Sequence, residues 1–185
     1  MPQIQQKGIS LIETVITTAI FVVASIIIGS LFVSHSQLYR IQTGMIDIKI
    51  YKTHFSKNFK NIVESSSDIV SIWTIGGVPY ATSSSTIILK TPSLDVNNDI
   101  INNTFDYIAF YKNSDSIFIE TEANALSTRI SIKKLLSKEV ENLRFIYNNN
   151  DPTLATMVTA IINFKENNLV NLPLTESIKL KNKTN

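Results

Sequence analysis

Residues 7–33 read KGISLIETVITTAIFVVASIIIGSLFV. From Leu11 to Val33 the only charged side chain is Glu13. As a helix rising 1.5 Å per residue, that run spans roughly 35 Å, enough for the hydrocarbon core of a bilayer. A charge at the bilayer centre costs roughly 2.5 to 3.5 kcal/mol on the insertion scale, a cost that Glu13 largely escapes by lying near the start of the run. A removable secretory signal fits poorly. Ser34-His35-Ser36 offers a small-x-small pattern, but the apolar run is too long for an h-region and its positive lead is a single Lys7. An ordinary anchor explains how Glu13 is tolerated and gives it no task.

The chain has 185 residues, 44% of them hydrophobic, enough for one core domain with a long appendage. The formal net charge is +2. Lys7 and Glu13 cancel, while Arg40, Lys49, Lys52, Lys57 and Lys60 against Asp47 and Glu64 place a basic excess just after the apolar segment. That excess is no dense nucleic-acid footprint, so the lysines read as a solvated face and nucleic acid is not an expected partner. There is no cysteine, which removes disulfides, thiolate metal sites and cysteine nucleophiles together. No catalytic constellation emerges either. His35 and His54 lack H-E-x-x-H spacing, and neither a glycine-rich phosphate loop nor G-x-S-x-G occurs, so an enzyme is not expected.

Gly8 followed by Ile9-Ser10-Leu11-Ile12-Glu13 resembles the processing site of type IV prepilins and type II secretion pseudopilins. The shared features are a short polar leader with a basic residue, a glycine, a hydrophobic residue, a glutamate four residues later, and an apolar helix. The motif covers roughly the first 33 residues; beyond them the resemblance is one of architecture. It implies that a prepilin peptidase cuts between Gly8 and Ile9 on the cytoplasmic side, that Ile9 becomes N-methylated, and that the helix stays with the mature protein. It also implies, as partners, the lipid bilayer, the inner-membrane assembly machinery and other pilin or pseudopilin subunits. The head would be exported, to the periplasm or the cell surface. Phe is the commoner first mature residue where this chain has Ile9, and Ser30 stands where major pilins often carry a proline, which favours a minor pilin or pseudopilin. Within that resemblance Glu13 acquires a role. A freed amine, cationic below a reference pKa of about 7.7 to 8.0, is as unwelcome in lipid as a carboxylate. Pairing Glu13 with the amino terminus of a neighbouring subunit would relieve both and set the register of a filament. The alternative is a single-pass receptor or adhesin whose β-rich head binds a ligand.

The expected organisation is a leader over 1–8, a transmembrane or filament-core helix over 9–33, its amphipathic continuation over 34–64 and an antiparallel β-rich head over 65–185. Leu38, Ile41, Met45, Ile48, Phe55, Phe59 and Ile62 follow helical steps of three and four, with Lys52 at one apolar position. A coiled-coil stalk is the alternative for this half. The helix over 9–64 would be roughly 84 Å long, with Gly44 as a soft spot and Ser65-Ser66-Ser67-Asp68 as its stop. In the head, strands are expected over 69–75, 86–90, 106–112, 116–120, 140–147 and 156–165. Tyr107 to Tyr111 is apolar on both faces and should be central; Ile130 and Ile132 alternate with Arg129, Ser131 and Lys133, as in a strand with one wet face. Residues 134–138 read as a short helical turn. The fold class is therefore α+β, a long helix packed on an antiparallel sheet, as in pilins.

Two weaker signals remain. Asp95, Asn97, Asp99 and Asp106 occupy positions 1, 3, 5 and 12 of a calcium-loop register, but Ile100 stands where glycine is wanted and the closing residue is Asp. A polar inter-strand loop with no metal is the expectation, with calcium the competing one. Trp73, between Ile72 and Ile75, reads as core rather than as a surface sugar or adhesion contact.

Overall fold

The computed structural model describes residues 10–165 and 173–181; the leader, the expected cut between Gly8 and Ile9, and the methylation at Ile9 lie outside them. The chain divides into two compact units, Met1–Met45 and Ile46–Asn185. One helix, α1 (Leu11–Ser65), contributes to both.

In the first unit every described residue from 11 to 40 is exposed. The helix is long and apolar enough to cross a membrane, with a mean hydropathy of 2.5 over its most apolar window. Five of its hydroxyls are satisfied within the helix. The hydroxyls of Thr14, Thr17, Thr18, Ser25 and Ser30 donate to the carbonyls of Ser10, Glu13, Thr14, Phe21 and Ile27. Such back-bonding satisfies these five hydroxyl donors within the helix, as an apolar surrounding requires.

In the second unit the helix continues through its last turns and ends at the serine cluster. Ser66 Oγ donates to Ile62 O at 2.6 Å and Ser66 N to Val63 O at 3.2 Å, taking carbonyls that a further turn would have used. Phe55, Phe59 and Val63 are fully buried, and Ile48, Tyr51 and Ile62 pack partly against the same core. The expected stripe therefore functions only from Ile48 onward. Leu38 and Met45, which belong to the first unit, are exposed. Lys52 closes the edge of the stripe, its Nζ lying 5.5 Å from the centre of the Phe164 ring, so that its stem covers apolar surface while its charge stays outside.

Among the described residues ten strands follow: β1 (Asp68–Ile69), β2 (Ile72–Ile75), β3 (Val78–Ala81), β4 (Thr86–Leu94), β5 (Ile100–Asn113), β6 (Ser116–Glu122), β7 (Ile132–Ser137), β8 (Val140–Tyr147), β9 (Met157–Phe164) and β10 (Leu174–Lys179). They form a five-stranded sheet ordered β1-β4-β5-β6-β7, a three-stranded sheet ordered β10-β9-β8, and the β2-β3 hairpin, with antiparallel pairing throughout. The expected α+β layout is the observed one. Ile87, Leu89, Ile108, Phe110, Ile117 and Ile119 line one face of the large sheet and join α1 and the three-stranded sheet in one core. Ile88, Ala109 and Tyr111 line the other face, under Ile75 of the hairpin. β5 is thus covered on both sides at the centre of its sheet, as its two-faced apolar pattern requires. Gly76 and Gly77, with φ of +57° and +81°, make the two-residue turn of the hairpin, for which positive φ at both positions is required.

The region after Arg129 departs from expectation. Residues 134–137 extend β7 instead of turning into a helix, with Lys134 paired to Ile119 and Leu135 to Phe118. Ile130 and Ile132, expected inward, are 76% and 55% exposed. Arg129 is the residue that turns in, because a buried carboxylate waits for it. β7 is an outer strand of its sheet, and Lys133 and Lys134 along it are the charged residues by which open edges resist further pairing.

Candidate functional site

Ser10 and Glu13 open the apolar helix with a reciprocal pair of hydrogen bonds. Ser10 N donates to Glu13 Oε2 at 2.9 Å, and Glu13 N donates to Ser10 Oγ at 3.4 Å. This is a capping box, in which two of the otherwise unpartnered N–H groups of the first turn are satisfied by side chains. The carboxylate also sits at the positive end of the helix dipole, where an anion is favoured. The Ser-x-x-Glu spacing is visible in the sequence and names Ser10 as Glu13's partner, a residue that the hydrophobic pattern alone passes over. One carboxylate oxygen is used in the cap. Among the described residues the other oxygen has no hydrogen-bond partner, so Glu13 keeps an acceptor at the start of an exposed, largely apolar helix.

The four residues of the calcium register go to different tasks. Asp95 Oδ1 accepts from the backbone N–H groups of Asn97 and Asp99 at 2.8 and 2.9 Å, which folds the β4–β5 connection into a tight turn. Asp106 instead lies in β5 with its side chain fully buried, and its carboxylate accepts from Ser93 Oγ, Asn124 N, Ser127 Oγ and Arg129 Nη1 at 2.7 to 2.8 Å. With its oxygens taken by these four donors, Asp106 cannot close a calcium loop over Asp95. Among the described residues no group of three or more His, Cys, Asp or Glu is placed to hold a metal. Burial pushes the Asp106 carboxyl up, but Asn124, Arg129, Ser127 and Ser93 outweigh it and hold the group below the usual carboxylate range. Arg129 Nη1 also donates to Pro92 O at 2.6 Å, so the same guanidinium fastens the loop after β6 to β4. No spacing in the sequence announces this pair.

The hairpin carries a second polar arrangement. Tyr80 and Tyr111 both donate their hydroxyls to Glu120 Oε2, at 2.8 and 2.9 Å. Burial first, then the hydrogen bonds shared with Tyr111 and Glu120, push the Tyr80 phenol well above its ordinary value. Trp73, expected in the core, is 38% exposed. One face of its ring stacks on Tyr107 at 3.7 Å and 13°, and its Nε1 donates to Glu122 Oε2 at 3.1 Å. Its polar N–H, bonded to Glu122, keeps that edge of the ring out of the core. His35 and His54 are both exposed on α1. No family model matches this chain, and no curated protein matches it.

Proposed function

We propose that the chain is a structural subunit, a minor pilin or pseudopilin, of a type IV pilus or type II secretion-like filament. In this reading a prepilin peptidase removes residues 1–8 from the cytoplasmic side, Ile9 is methylated, and α1 spans the membrane with the head exported until assembly moves it into a filament. The observation that carries the reading is an exposed apolar helix with a carboxylate fixed at its start. Glu13 has one oxygen bonded to Ser10 and so can accept the amine of a neighbouring subunit without giving up the cap. Thr14, Thr18 and Ala19, with Val15, Val22 and Val23, line a shallow groove along the helix. Side chains this small allow a second apolar helix to approach closely.

The cap makes the test sharper, because a Gln amide oxygen accepts the Ser10 N–H as a carboxylate does but carries no charge. Glu13→Gln is expected to insert in the membrane and fold its head normally, yet to fall at least about tenfold in filament incorporation, since it leaves a neighbour's ammonium unpaired in an apolar interior. Incorporation of Glu13→Gln at the level of the parent chain would assign Glu13 to helix capping and end the pairing account.

A further inference from the structure

The only tryptophan in the chain, Trp73, is 38% exposed although one face of its ring is stacked and its N–H is bonded. Tyr107 backs it at 3.7 Å, and Glu122 fixes its plane through Nε1. Tyr107 stands directly between two charges, paired with Lys90 of β4 on one side and with Glu122 of β6 on the other. Lys90 Nζ is itself held 3.8 Å above the Phe105 ring, two residues along β5 from Tyr107. Glu122 uses one oxygen for the indole, and its Oε1 has no hydrogen-bond partner among the described residues. Burial and then the Glu122 charge raise the Tyr107 phenol above its ordinary value, so that it too remains a neutral donor.

From this arrangement we infer that Trp73, with Glu122 bonded to its edge and Lys90 across Tyr107 from Glu122, is a binding subsite for a neutral pyranose of a glycan chain. A flat aromatic face receives the C–H face of a sugar ring, a carboxylate oxygen accepts from its hydroxyls, and an ammonium donates to them. Lys90 and Glu122 stand on either side of Tyr107 and Asp68 faces Lys90 from β1, so the row carries no positive excess that would draw a polyanion. The floor is ordered before any ligand arrives, because Tyr107 and Glu122 already fix the indole, and that order lowers the cost of binding. This assignment concerns the head alone and stands whether or not α1 assembles as proposed above.

Having one tryptophan, the protein reports on the subsite directly. Full-length protein in lipid nanodiscs, which avoid glycoside detergents, is titrated with cellotetraose, chitotetraose and maltotetraose while tryptophan emission is followed, with tetraethylene glycol as the control. At least one sugar is expected to give a saturable change. Glu122→Gln and Lys90→Ala should each weaken it by about tenfold or more, the size of a lost hydrogen bond to a charged group, with the unfolding of the head unchanged. Trp73→Ala, followed by calorimetry because it removes the fluorophore, should abolish binding. Absence of a saturable response to all three sugars, a response equalled by tetraethylene glycol, or one left intact by both Glu122→Gln and Lys90→Ala overturns the assignment.

Discussion

Glu13 and Asp106 answer differently to the requirement that a charge taken out of water be given donors. Asp106 is satisfied completely within the chain, by two hydroxyls, one backbone N–H and the Arg129 guanidinium. Glu13 is satisfied in part, by its own helix start, and among the described residues its other oxygen has no partner. The folded Asp106 carboxyl titrates below its unfolded value of about 3.9, so its contribution to stability is fully present above that pH and is lost as pH falls through the folded value. Asp106→Asn should therefore cost about 3 kcal/mol near neutral pH, where Arg129 is left half-partnered, and should flatten the loss of stability on acidification. Urea unfolding of the head at neutral and acid pH checks both, and an acid-induced loss undiminished in Asp106→Asn would contradict the assignment. The capping partner of Glu13 could be read from spacing. The partner of Asp106 could not, because Arg129 reaches it only after β5, β6 and a loop have folded.

Periodicity reports which face of an element is buried only where one face meets a core and the other meets water. β9 meets that condition, and Val158, Ala160, Ile162 and Phe164 point inward as their alternation requires. β5 is legible for the complementary reason, being apolar on both faces and covered on both. β7 fails it. An outer strand has little core to face, and the demand of Asp106 for a cation decides which way Arg129 turns, leaving Ile130 and Ile132 outside. α1 divides by the same rule, its stripe being buried from Ile48 onward and exposed at Leu38 and Met45. Phe59 stacks on Phe55 at 5.2 Å and meets Phe110 edge-on at 5.4 Å, so together with Phe55 it joins helix to sheet. Phe59→Ala should lower the stability of the head by roughly 3 to 5 kcal/mol. Leu38→Ala on the same helix should leave it unchanged, with denaturant unfolding followed by circular dichroism of the sheet distinguishing the two.

At the scale of the molecule, one continuous helix serves two units with opposite needs. Its first half exposes apolar side chains that water does not favour, and its second half buries three large ones in a closed core. The α+β order was readable in outline because a long apolar helix followed by short apolar runs and turn residues admits few other arrangements. The head's surface chemistry was not readable, since the stacking of Trp73 on Tyr107 depends on where a hairpin lands on a sheet. A filament subunit and a singly anchored receptor would share this whole architecture. They differ in the amino terminus, which only one of them must have cut and methylated. Intact-mass measurement of the protein purified from its own membranes is the most direct test. A mature chain that begins at Ile9 and carries one added methyl group is expected of a filament subunit, and a chain that retains residues 1–8 would contradict that reading.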